Sequence, residues 1–166
     1  ANLEDANLKK ARLRFTDVRG ANLEDADLTF ANAQNINAVD ANFSDTDLRK
    51  VNLFEATFIG ANLEDAYLGF SNLEGTDFTD ANLEGAYFEE AKIFGTNFTN
   101  ANLDEANFEN TKIKIRYGTY GESVVNGVPD FTGASLVDAE LQGVGFENAI
   151  LCKTVFSWGE DNSSCD

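Results

Sequence analysis

Histidine and methionine are both absent from this chain of 166 residues, and it has one proline, one tryptophan and two cysteines. Without histidine it lacks the commonest general base and the commonest transition-metal ligand. Without methionine the sequence as given does not begin at an initiator codon, so a processed form is expected, and a secretory signal ahead of Ala1 is compatible with that. No apolar run approaches the ~20 residues of a membrane-spanning helix, so the chain is not expected to span a membrane. Cations are scarce too: 12 Lys and Arg against 29 Asp and Glu leave a net charge of −17. Such a surface repels phosphate backbones, so no direct nucleic-acid binding is expected. It suits a basic protein surface or cations, and solubility alone is the competing explanation.

What is present is a period. Hydrophobic residues make up 43% of the chain, enough for one packed domain. Cut into fives from Ala1, the chain reads ANLED, ANLKK, ARLRF, TDVRG, ANLED without a slip to TKIKI at 111–115, which is 23 units. The third residue is Leu twelve times, Phe six, Ile twice, Ala twice and Val once; the first is Ala fifteen times and Thr five. A period of five belongs neither to an α-helix nor to an alternating strand. It implies a coil in which each side directs one small and one large side chain inward and leaves the other three residues outside. One such unit cannot bury its own face, so stacked coils must supply the core.

These units resemble the A(D/N)LXX pattern of the pentapeptide-repeat family over at least 115 of the 166 residues. The resemblance implies an all-β solenoid: a right-handed quadrilateral β-helix with four units, or twenty residues, per coil. Residues twenty apart then lie above one another. Leu3, Leu23, Phe43, Leu63, Leu83 and Leu103 form one inward column, and Phe58, Phe78 and Phe98 another above Val18 and Ala38. At the ~4.8 Å spacing of neighbouring strands, those phenylalanines form an offset stack, which contributes ~0.5–1.5 kcal/mol per pair beyond burial.

The phase fails after Ile115 and returns at Pro129 with centres Phe131, Leu136, Leu141, Phe146 and Leu151. Ile113 and Phe131 are 18 residues apart, or one unit plus 13. A loop over 116–128 therefore restores register and sets Phe131 above Phe98, giving about seven coils. The rival reading skips three faces with two residues deleted. The expected divisions are a β-helix over 1–115, the inserted loop 116–128, further coils over 129–153 and a C-terminal cap over 154–166. The loop is either a presented functional segment or a tolerated insertion.

An open β-helix end must be covered, and Val155, Phe156 and Trp158 are suited to it. Cys152 and Cys165 flank the Trp-Gly turn and read as a disulfide closing the cap, worth ~3 kcal/mol in the chain-entropy model. Two reduced thiols are the alternative. A bridge would imply an oxidising compartment. The Cys-Lys-Thr start and the closing Cys resemble cyanobacterial and chloroplast members of the family exported to the thylakoid lumen or periplasm; a cytoplasmic location is the alternative.

Sorted by face, the outward charge is uneven. Ten of the twelve residues ending the units of the first column are acidic: Glu4, Asp5, Glu24, Asp25, Asp45, Glu64, Asp65, Glu84, Asp104 and Glu105. The next face carries Lys9, Lys10, Arg49 and Lys50 with outward aromatics. The acidic stripe is either a docking strip for a basic partner or a residue of duplication, since ANLED recurs at 1–5, 21–25 and 61–65. Its paired oxygens offer at most weak Ca²⁺ binding, as no spacing matches a calcium loop. No phosphate loop, nucleophile elbow, zinc signature or dinucleotide fingerprint is present. An interior filled with Leu, Phe and Ala leaves no water-excluding cleft. The expectation is a non-enzymatic structural or protein-interaction module, with no catalytic residue, cofactor or metal site. The alternative implied by the resemblance is a DNA mimic that binds a topoisomerase such as gyrase, as some members of the family do.

Overall fold

Residues 1–111, 129–137, 139–141 and 149–161 are described in a computed structural model. Each unit contributes three extended residues and a two-residue corner. The second residue of each unit pairs in parallel with the residue twenty positions on: Asn2 with Asn22, Asn7 with Asp27, Arg12 with Asn32, Asp17 with Asn37, and so upward. Four units therefore complete one coil. The pairing is made by two hydrogen bonds that recur along the axis. The Leu3 N–H donates to the Asn22 carbonyl at 2.7 Å, and the Asn22 N–H donates to the Ala1 carbonyl at 2.9 Å.

Each corner closes by a bond from the next unit's first N–H to the preceding central carbonyl, as from Ala6 to Leu3 at 3.0 Å. This turn requires a left-handed residue at its third position. Every fifth residue from Asp5 to Asn110 has it, with φ between 54° and 68°. Of these 22 residues, six are Asp, five Gly and three Asn, the types that reach this conformation most cheaply. Gly60 shows a second reason for glycine: a Cβ there would stand 2.6 Å from the Asp40 carboxylate one coil earlier.

The core is a column of first and third residues. From coil two onward, Ala21, Leu23, Ala26, Leu28 and their successors are buried. The first position takes small side chains, mostly alanine, because it shares the narrow interior with the Leu or Phe two residues on; Val51 is a larger group that it accommodates beside Leu53. Where threonine replaces alanine, the hydroxyl bonds to a carbonyl of the coil before: Thr46 Oγ1 to Leu23 O at 2.8 Å, Thr76 to Leu53 at 2.9 Å and Thr96 to Leu73 at 2.8 Å. The fourth position is not always outward, for Thr29 and Phe94 are buried.

After 111 the ladder resumes in a shifted register. Asn97 pairs with Asp130, Asn102 with Ser135 and Asn107 with Glu140, each 33 positions apart, whereas Asp130 and Ile150 are again 20 apart. The excess is 33 − 20 = 13 residues. The loop expected over 116–128 lies outside the described residues. Strand β1 (Ser135–Leu136) pairs in parallel with β2 (Thr154–Phe156), which turns antiparallel into β3 (Gly159–Asp161). The Thr154 hydroxyl donates to the Phe131 carbonyl at 2.7 Å, so this hairpin continues the coil bonding. Phe156 is buried, but Trp158, expected to help cover the end, is 76% exposed. It stacks flat on Phe156 at 4.6 Å, because the hairpin turn carries it past the edge of the core.

Candidate interaction surface

With twenty residues per coil, each corner is a straight column. The first corner holds residues 4–5, 24–25, 44–45, 64–65, 84–85 and 104–105, and so brings Glu4, Asp5, Glu24, Asp25, Asp45, Glu64, Asp65, Glu84, Asp104 and Glu105 into one line. Asp5, Asp25, Asp45, Asp65 and Glu105 are the left-handed members of their corners. Eight of the ten are exposed, and Glu24 and Asp104 are half-buried.

The glutamates are not loose on this line. Asn42 donates from Nδ2 to Asn22 Oδ1 at 2.9 Å, Asn62 to Asn42 at 3.1 Å, Asn82 to Asn62 at 3.0 Å and Asn102 to Asn82 at 3.2 Å. This asparagine ladder runs up the flat face beside the corner. Its amides also reach the glutamates one coil below: Asn22 to Glu4 at 3.3 Å, Asn42 to Glu24 at 3.1 Å and Asn102 to Glu84 at 3.1 Å. Each such carboxylate is therefore oriented while keeping oxygen atoms open to solvent. Asp104 differs. It accepts from the Val137 N–H at 3.0 Å and, in a shorter contact, from the Ser135 hydroxyl, so it ties the corner to the coil after the insertion.

The second corner, residues 9–10 and their successors, has another chemistry. Lys50 Nζ lies 5.1 Å from the Phe30 ring centroid and 5.9 Å from that of Phe70. Tyr67 and Tyr87 stack at 5.1 Å on the flat face between the two corners. Lys9 pairs with Asp27 at 3.1 Å, and Arg49 pairs closely with Asp47. Asp27 is held down to about pKa 2, chiefly by the Thr29 hydroxyl and backbone N–H and further by Lys9. Asp17 is likewise lowered to about 2 by its hydrogen bonds from Arg19.

Inside, Phe58, Phe78, Phe98 and Phe131 form a continuous stack with successive centroids 5.4, 5.4 and 4.9 Å apart. It is buried throughout and presents nothing to a ligand. Cys152 is described and Cys165 lies outside the described residues. Among the described residues no group of three or more acidic, Cys or His side chains could hold a metal ion. No helix there is long and apolar enough to cross a membrane.

Sequence reasoning located the acidic column but missed the asparagine ladder and the lysine between two rings. The signals were visible: Asn recurs at 2, 22, 42, 62, 82 and 102, and Phe30, Lys50 and Phe70 are twenty apart.

The model of pentapeptide repeats matches residues 1–25, 21–58, 56–100 and 81–114. No curated protein matches the chain. Among solved structures, it is similar to HetL, a pentapeptide repeat protein involved in heterocyst differentiation regulation in the cyanobacterium Nostoc sp. strain PCC 7120. The TM-score is 0.63 at 23% identity, over 96% of this chain and 78% of HetL. It also resembles a pentapeptide repeat protein of the Arabidopsis thaliana thylakoid lumen, with a TM-score of 0.46 and 25% identity over 54% of this chain and 66% of the other. A match to QnrB1, a plasmid-mediated fluoroquinolone resistance protein, has a TM-score of 0.49 at 18% identity over 86% and 74% of the two chains. The chain belongs to the pentapeptide-repeat family, and its solenoid is that family's right-handed quadrilateral β-helix.

Proposed function

We propose that this protein is a non-enzymatic interaction module whose first corner docks a basic surface of another protein. The observation that carries this reading is the bonding of Glu4, Glu24 and Glu84 to the asparagine ladder. A flexible acidic side chain loses rotamer entropy on binding. Here part of that ordering is already made in the free protein, in the first, second and fifth coils. The carboxylate rows lie ~4.8 Å apart, and a strip of Lys and Arg side chains on a partner can match them. Membership in a family of structural and interaction proteins supports the same class. The two cysteines, read as a bridge, favour export to the thylakoid lumen or periplasm.

Titration with a Lys/Arg-rich peptide tests it. Wild-type binding should weaken steeply with salt. Neutralising Glu64, Asp65, Glu84 and Glu105 to Gln or Asn should abolish most of it, while neutralising Asp40, Glu55, Glu74 and Asp80 should not. Asp104 is kept in both, because its carboxylate holds Ser135 and Val137. Equal binding by the two variants would sink the docking reading.

One observation favours a second reading, the DNA mimic. Ten carboxylates over six rows that lie ~4.8 Å apart give about one charge per 2.9 Å, comparable with the ~3.4 Å per phosphate of a DNA strand. A mimic would inhibit supercoiling by DNA gyrase in a defined assay. No inhibition at micromolar protein removes this reading.

A further inference from the structure

We propose that a basic patch studded with aromatic rings, on the first three coils and on the side opposite the asparagine ladder, docks a short acidic segment of a partner protein. The patch lies on the third flat face, residues 11–13, 31–33 and 51–53, and on the two corners that border it. There Lys9, Lys10, Arg12, Arg14, Arg49 and Lys50 stand against one acid, Glu55, in a chain whose net charge is −17. All six cations are exposed.

The chain's many acids leave most of this charge unused. Lys9 pairs with Asp27 and Arg49 with Asp47. Among the described residues Lys10, Arg12, Arg14 and Lys50 have no carboxylate within ion-pair distance. Two of these four are placed by rings instead. Arg14 lies 5.3 Å from the Phe15 centroid, and Lys50 lies between Phe30 at 5.1 Å and Phe70 at 5.9 Å. A ring face attracts a cation without neutralising it, so both groups are oriented and keep their charge for an anion. Along the second corner Lys10, Phe30, Lys50 and Phe70 alternate cation and ring, one coil step of ~4.8 Å at a time. Phe15, Phe30 and Phe70 are each at least half open to solvent. Arginine and aromatic rings are enriched at the cores of protein interfaces.

The size of the patch selects the class of partner. Lys10 and Lys50 are two coil steps apart, ~10 Å, which matches a few residues of extended chain. Farther along the axis, coils four and five place Glu74, Glu89 and Glu90 on the same side, against Lys92. Toward the first corner, the second face is ~10 Å wide, more than the ~8 Å Debye length at physiological salt. A nucleic-acid duplex or a lipid surface extends beyond the patch and meets those acids, whereas a short acidic segment stays within it. The patch uses none of the acids of the first corner, so it stands independently of the docking role proposed for them.

Fluorescence anisotropy of the whole chain with a labelled peptide of about six glutamates, ~20 Å when extended, tests this. Binding should appear at low salt and weaken as salt rises. Changing Lys10, Arg12, Arg14 or Lys50 to Gln should weaken it about threefold each, the scale of one exposed ion pair, and changing all four should weaken it well over tenfold. Lys92→Gln and Lys153→Gln, at cations on other coils, should leave it unchanged. Phe30→Asn combined with Phe70→Asn alters no charge and suits the left-handed corner. This pair should weaken binding as well, through loss of the rings that place Lys50, and circular dichroism should show every variant folded. Equal binding by the wild type and the fourfold variant would overturn the proposal, as would no binding at low salt. Association of the chain with itself, or with phosphatidylserine vesicles, that the four substitutions abolish would also overturn it, since the patch would then have another occupant.

Discussion

Phe131 lies with its ring centroid 4.9 Å from that of Phe98 and at 14° to its plane, although a coil and the inserted segment separate the two in sequence. Phe98 is thus held between Phe78 at 5.4 Å and Phe131, with Phe88 and Phe108 edge-on. The stack carries the core across the interruption of the repeat. Truncating Phe98 to Ala leaves a cavity walled by ordered coils on both sides, where collapse is restricted. The expected loss is ~3–5 kcal/mol, measured by denaturant unfolding at equilibrium. A loss below ~1 kcal/mol, the scale of surface substitutions, would mean that the core is discontinuous there.

How much of this was legible follows from where each signal sits. The columns through Leu3 and Phe58 could be read because an inward residue recurs every five positions and admits few types. The corner conformation was less visible. Asp, Asn and Gly dominate the fifth position, but Phe15, Phe30, Phe70 and Lys50 stand there as well, and they read simply as outward residues. Thr46, Thr76 and Thr96 looked like substitutes for alanine, since the carbonyl that each hydroxyl reaches belongs to another coil, 23 residues away. Trp158 misled because hydrophobicity alone indicates burial, while its place in a two-residue hairpin turn decides against it.

The left-handed corners give a second prediction. Glu55 is exposed with φ 54°, a conformation that costs an ordinary residue roughly 1 kcal/mol more than glycine. Glu55→Gly should therefore stabilise the fold by up to ~1 kcal/mol, reduced by the greater freedom glycine gives the unfolded chain. Glu55→Val should destabilise, because a β-branched residue is strained at positive φ. Thermal unfolding of the two variants in parallel checks the order; a valine variant as stable as the glycine one would contradict it.

Cys152 and Cys165 are expected to be bridged, closing the C-terminal segment. Peptide mapping without reductant should recover the two cysteines in one linked species, and thiol labelling of protein from its native compartment should find neither. Labelling of both would remove the main support for an exported location.

Asp27 supplies a pH prediction. Its pKa is lowered from 3.8 to about 2, first by the Thr29 hydroxyl, then by the Thr29 N–H and by Lys9. A carboxylate whose folded pKa is depressed contributes stability that is present above the unfolded value and lost as pH falls through the folded one. The contribution of Asp27 is thus complete at pH 5 and disappears between about pH 4 and 2. Thr29→Val removes the largest cause. Carbon-detected NMR titration should show the Asp27 carboxyl shifting at higher pH in this variant, toward the ordinary carboxylate value. An unchanged titration would assign the depression to the backbone N–H of residue 29 and to Lys9 instead.

Ser71 tests the role of the first position. Its side chain is fully buried, and its hydroxyl is the one buried side-chain polar atom without a hydrogen-bond partner among the described residues. At equivalent places Thr46, Thr76 and Thr96 each donate to a carbonyl 23 residues earlier; for Ser71 that carbonyl belongs to Leu48. A serine rotates freely about χ1, whereas the extra methyl of threonine restricts the rotamer. An unsatisfied buried hydroxyl costs ~1–3 kcal/mol. Two substitutions should therefore both stabilise the protein, for different reasons. Ser71→Ala removes the polar group and leaves the residue that fills this position in most units. Ser71→Thr fixes the hydroxyl toward the Leu48 carbonyl and adds buried surface. Each should raise stability by ~1 kcal/mol in denaturant unfolding, while Thr76→Ser, which loosens a hydroxyl already bonded at 2.9 Å, should lower it. If Ser71→Ala were destabilising, the serine hydroxyl must have a partner, and the difference between serine and threonine at this position would lose its explanation.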